Sequence, residues 1–200
     1  MKLANFSVEQ LKALPLRAIV AFAARCARRV EPFAQFPEGN PRRESRREAI
    51  EAALRMAESF ARGTDAPPDE SVIAAIDASR DAGGKSGSSG AADAAAQAAH
   101  AAASAWHAGS QVAEETTAPG KPTTEAGRSL GALTHITADL AALNAFTAAA
   151  EAFVSVGYRN EDFVDAALSD YDALVRLELG RYPEPGNPVD PSPGGPLGPL

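Results

Sequence analysis

Cysteine is nearly absent from this 200-residue chain, which has one, Cys26. A single thiol excludes a disulfide scaffold and any zinc site built on cysteines. Histidine is almost as scarce, with three residues, which leaves little for a His-rich metal cage. Aromatic residues make up only 6%. No apolar run approaches the roughly 18 residues that a membrane span needs. The opening stretch, MKLANFSVEQ, has no apolar segment behind its lysine, so the expectation is a cytoplasmic protein without a signal peptide. No alternation of apolar and polar residues marks a β-strand. Hydrolase signatures are missing too, with no Gly-x-Ser-x-Gly elbow and no His-Glu-x-x-His helix. Gly84-Lys85-Ser86 ends like a phosphate-binding loop, but Ser79 stands where that pattern needs its first glycine. Helical rather than strand sequence precedes it, and GGKSGSSG at 83–90 reads as a linker.

What remains is helix-forming and alanine-rich. Hydrophobic residues make up 45% of the chain, and about half of them are alanine. Each alanine buries one methyl, worth about 0.8 kcal/mol, so the core must be broad and closely packed. Ser7 with Gln10 predicts a capping box opening a helix over Val8–Leu14. Pro15 then fits the first turn of a helix from Leu16 to about Glu31, with Ile19, Val20, Ala23, Cys26, Ala27 and Val30 on one stripe. Cys26 on that stripe reads as a small buried hydrophobe. Further helices are predicted over Arg42–Ala61, over about Asp69–Arg80, over Ala91–Glu115, from Thr124 to about Val156, and over Glu161–Leu179 behind an Asn160 cap. The predicted fold is all-α, a compact bundle of six to seven helices with tight alanine packing, forming one domain over 1–180. Residues 181–200, rich in proline and glycine, are expected to be a disordered tail.

Charge is unevenly placed. Residues 1–62 hold twelve of the nineteen Lys and Arg but seven of the twenty-six acids, about +5 against −12 for the rest. The two parts are expected to face each other, with the acidic last helix as the neighbour of the basic first third.

The alanine helix carries the most informative pattern. Asp93, Gln97, His100, Ser104, His107, Gln111 and Glu114 are spaced alternately by four and three, a polar seam along one helical face. The seam is the first candidate binding surface, and it places this helix at the centre of the fold. His100 and His107 lie about 10.5 Å apart along the axis, too far to share one ion comfortably. His135 and Asp139 have the i,i+4 spacing that could pair an imidazole with a carboxylate. A metal-binding or hydrolytic bundle using His100, His107, His135 and Asp139 is therefore the alternative, and a structural accessory domain is a third. The basic cluster Arg42, Arg43, Arg46 and Arg47 is the second candidate surface. Glu44, Glu48 and Glu51 interleave with it, which favours a solvated, internally paired face over phosphate contacts.

Three runs carry a family resemblance: LPLRAIVAFAARCARRVEPFAQFP, REAIEAALRMAESFARG and AADAAAQAAHAAASAWHA. Together they resemble the alanine-rich, all-α immunity proteins of bacterial toxin systems, over roughly residues 14–108. The resemblance implies a non-enzymatic protein that binds and neutralises a toxin, and it transfers no active-site residue. The GGKSGSSG segment and the proline tail depart from that pattern. The reading of the sequence is thus a helical protein-interaction module with a protein partner, no cofactor, no metal and no catalytic residue, and neither membrane nor nucleic acid as target.

Overall fold

The computed structural model describes residues 6–36, 38, 41, 43–64, 97–98, 100–106, 125–182 and 184–200, with 125–137 described as backbone only. The described residues contain helices and no strand. In chain order they are α1 (Val8–Leu11), α2 (Leu16–Val30), a 3-10 turn (Glu31–Phe33), α3 (Arg43–Ala61), a helical segment α4 within 97–106, α5 (Glu125–Ser155) and α6 (Asn160–Arg176). The expected helix at 69–80 and the linker at 83–90 lie outside the described residues. No helix among the described residues is long and apolar enough to cross a membrane.

Local chemistry sets the boundaries. The Ser7–Gln10 capping box is present in full, and α1 stops after one turn at Leu11. Pro15 takes the cap position of α2 rather than its first turn. Proline has no side-chain oxygen to accept the first free N–H groups of the helix. Distant chain supplies the acceptors instead: the N–H of Leu16 donates to the Glu184 carbonyl (3.1 Å) and that of Arg17 to the Pro185 carbonyl (2.9 Å). Gly157 adopts φ +91° just past the end of α5. Arg159, not Asn160, caps α6, so that helix begins one residue earlier than the asparagine suggests.

Among the described residues, α2 lies at the centre of the bundle. Twelve of its fifteen residues are buried, Ala18, Phe22 and Arg25 among them, so apolar contact surrounds it on all sides. It packs most extensively on α5, next on α3, and also on α6. Aromatic rings fill the space that the alanines leave. Phe6 stacks on Phe22 at 4.9 Å and meets Tyr171 edge-on at 5.4 Å, while Phe146 joins Phe6, Phe22 and Phe163. Such pairs contribute about 0.5–1.5 kcal/mol each beyond area burial. Cys26 is fully buried, as expected, and burial pushes its thiol well above the usual range.

Salt bridges tie the helices laterally. The sequence pairs Glu51 and Glu58 with arginines of their own helix, and Arg55 and Arg62 do lie 3.7 and 3.9 Å away. The shorter contacts go to α2: the Arg28 guanidinium donates to Glu51 at 2.5 Å and to Glu58 at 2.7 Å. A planar fork with five donors grips both carboxylates with two bonds each, which the three donors of an ammonium cannot supply. The basic first third meets the acidic last helix as anticipated, but at one point. Arg25 and Arg29 both donate to Asp170, whereas Asp162, Asp165 and Asp172 are exposed.

The tail differs from expectation. Its backbone is irregular, yet it packs against the bundle. Val189 and Leu197 are buried, and the Val189 N–H donates to the Ala61 carbonyl at the end of α3 (2.8 Å). Composition alone underestimates this order, because a few anchored groups and one buried guanidinium offset the entropy that low hydrophobicity cannot.

Candidate functional site

The described part of the seam lines a cleft. Ala98, Ala101, Ala102, Ala103, Ala105 and Trp106 of α4 are buried, while Gln97 is exposed and His100 and Ser104 are half-buried. Polar side chains are thus confined to one line of this helix. Opposite them, α5 exposes Leu140, Asn144, Thr147, Glu151 and Val154, again spaced by four and three. Between the two lines lies an open cleft of about 360 Å³, walled by Gln97, His100, Ser104, Asn144, Thr147 and Glu151 and floored by Ala101, Ala141 and Ala148.

The hydrogen bonds define what the cleft offers. Ser104 donates its hydroxyl proton to the His100 carbonyl (2.9 Å), and Thr147 donates to the Leu143 carbonyl (3.0 Å). Both hydroxyls therefore serve mainly as acceptors. The carboxamides of Gln97 and Asn144 present donors and acceptors, His100 an imidazole, and Glu151 a carboxylate. This set suits the backbone and polar side chains of an approaching chain. Asp93, His107, Gln111 and Glu114 lie outside the described residues, so the cleft holds three of the seven seam positions. Among the described residues, no three His, Cys, Asp or Glu side chains gather where a metal ion could be held.

Asp139 does not join this cleft. It is fully buried, and Tyr182, at the root of the tail, donates its hydroxyl to Asp139 Oδ2 at 3.3 Å. Its Oδ1 is buried without a hydrogen-bond partner. Burial raises its carboxyl to about 6, against the opposing effects of the Tyr182 bond and the Lys12 charge. Burial first, and then the Asp139 charge, push Tyr182 up to about 12, so it remains a donor. The side chain of His135 lies outside the described residues, and Tyr182 is the observed partner of Asp139. An acid whose folded value exceeds its unfolded one binds its proton more tightly in the folded state. Ionised Asp139 therefore costs stability above about pH 6, and that cost is relieved as pH falls from about 6 towards 4. Asp139→Asn is expected to flatten this segment of the stability–pH profile and to gain about 1–2 kcal/mol at pH 7–8. Urea unfolding at pH 4.5 and 7.5 checks it. Parallel profiles for the two proteins would contradict the buried carboxylate.

The basic cluster is less available than its sequence suggests. Arg46 lies over the Phe36 ring at 5.4 Å, a cation–π contact inside the fold. Arg47 is exposed and Arg43 half-buried, with Glu44 and Glu48 exposed beside them, and Arg42 lies outside the described residues.

Two buried charges, Arg25 and Asp170, do not stand out in the sequence as a site. Arg25 is wholly buried, and its Nε donates to Asp170 Oδ2 at 2.8 Å. A signal exists in hindsight. Arg25 lies three residues after Phe22, and Asp170 lies seven after Phe163, three after Ala167 and four before Leu174, so each shares a core-facing row. The chain was compared with protein-family models, with curated proteins and with solved structures, and none of the three gives a match.

Proposed function

We propose that this chain is a cytoplasmic, non-enzymatic helical interaction module that binds a partner protein through the α4–α5 cleft, in the manner of an immunity protein that neutralises its target. One observation carries the reading. Over their described residues, α4 and α5 turn Gln97, His100, Ser104, Asn144, Thr147 and Glu151 towards a single shared cleft. Close alanine packing beneath it holds the two lines rigidly, so little side-chain order is lost on binding. The cleft offers amides, an imidazole and one carboxylate, and its two hydroxyls donate to backbone carbonyls, which suits recognition better than turnover. The metal-binding or hydrolytic alternative has weaker support, since Asp139 is turned to Tyr182. The accessory-domain reading rests on no particular residue.

Affinity capture from an extract of the source cells tests the proposal, with the wild-type chain and a Gln97→Ala, His100→Ala, Asn144→Ala variant as baits. Alanine is a good helix former at each position, so the helices should persist. A single stoichiometric partner is expected on the wild type, bound at least tenfold more weakly by the variant. Equal capture by both would reduce the cleft to a solvated edge.

A further inference from the structure

The tail is held as a ligand is held. A guanidinium has five N–H donors, and in Arg25 all five are met. Nε serves Asp170; Nη1 serves the carbonyls of Pro191 and Gly198, each at 3.0 Å; Nη2 serves those of Leu197 (3.4 Å) and Pro199 (2.9 Å). Four of the five acceptors thus belong to one segment, which curls through turns at Ser192–Gly195 and Gly195–Gly198 around a side chain with no exposure to water. Val189 and Leu197 are the apolar anchors, and Arg62 lies 3.5 Å from Asp190.

The segment's composition fits this site. Six of the sixteen residues 184–199 are proline. A proline carries a carbonyl but no N–H, so pressing it onto the bundle leaves no donor stranded, and its fixed φ reduces the entropy lost on docking. Two glycines stand where nothing larger fits. A Cβ on Gly186, which has φ +77°, would come within 2.5 Å of the Pro15 ring, and one on Gly195 within 2.2 Å of the Asp190 carbonyl oxygen. The link from α6 is looser. Of residues 176–181 all but Leu179 are exposed, and the backbone reverses there through left-handed Glu178 and Gly180.

We propose that the α2–α6 face around Arg25 is a docking site for a proline-rich peptide folded in turns, filled in cis by residues 184–199, and that the same segment of a second copy of this chain takes it by exchange. The contacts of Arg25, Arg62 and Pro15 with the segment run between segment and bundle, so a partner's segment reproduces them unchanged, and the mostly exposed link can open without unpacking a helix. Exchange of one element between identical chains is a recognised route to a dimer.

The test uses the full chain with Gly186→Val and Leu197→Asp, which leaves the site intact but prevents its own segment from seating. A fluorescent peptide of residues 184–199 is expected to bind this variant saturably and at least tenfold more tightly than it binds wild type, whose tethered segment competes at millimolar effective concentration. Adding Arg25→Met to the same chain should abolish that binding. Equal binding to variant and wild type, or none while circular dichroism still reports helix, overturns the proposal. If the variant does not fold, the wild-type chain decides. Held concentrated in sub-denaturing urea and returned to buffer, it should give a two-chain species by light scattering whose share grows with concentration. Single chains alone at every concentration would overturn exchange.

Discussion

Replacing Arg25 by methionine is expected to lower the stability of the bundle by about 3–5 kcal/mol, the usual cost of removing one partner from a buried ion pair. Methionine preserves much of the volume, so the loss is electrostatic rather than a cavity. Asp170 keeps Arg29, but Oδ2 loses the Arg25 Nε donor and four tail carbonyls lose theirs together. Arg25→Lys should recover less than half of the loss, because three donors on one nitrogen cannot span acceptors placed around a planar fork. Urea unfolding followed by far-ultraviolet circular dichroism measures both. A loss under about 1 kcal/mol for Arg25→Met would mean that the guanidinium does not organise the tail.

Removing residues 181–200 is expected to destabilise the remaining bundle by about 2–3 kcal/mol. The two leading N–H groups of α2 lose their acceptors, and the apolar surface under Val189 and Leu197 becomes wet. Water can then reach Arg25, which keeps the cost below the sum of the lost contacts. The unfolding midpoint of the truncated chain measures this against wild type, and an unchanged midpoint would show that the tail is a passenger. Arg25→Met and the truncation should be strongly non-additive, since both remove the same hydrogen bonds.

The sequence reveals the helices well where punctuation is strong. Pro15, Gly63 and Gly157 bracket α2, α3 and α5 to within a residue or two of their observed ends, because each residue breaks helix by a known steric or conformational rule. Faces are less legible in alanine-rich stretches. Hydrophobicity places Leu140 in the core, yet it is half-exposed while Ala141 and Ala142 beside it are buried. When most positions are alanine, the apolar period that identifies a core face is flattened. The α4 seam is legible because polar residues interrupt an alanine run at strict spacing. Its counterpart, Asn144, Thr147 and Glu151, is hidden among alanines, leucines and phenylalanines that fit several faces equally. The packed tail could not be read at all. Its order depends on a residue 166 to 174 positions away along the chain, and local composition carries no trace of that partner.

The two surfaces are separable. The cleft lies between α4 and α5, whereas residues 184–199 dock on α2 and the end of α3, and Tyr182 meets α5 at Asp139, which is not part of the cleft lining, so a variant that frees that segment should leave partner binding at the cleft intact.

The most direct measurement is site-specific photo-crosslinking in source-cell extract, with a photoreactive residue at position 144 in the cleft or at position 47 in the exposed basic cluster. Both positions face solvent, so neither probe should disturb the fold. A discrete adduct with one protein from position 144, and none from 47, is the predicted result. An adduct from 47 alone, or from neither while the folded chain is recovered intact, would contradict the assignment of the α4–α5 cleft as the partner site.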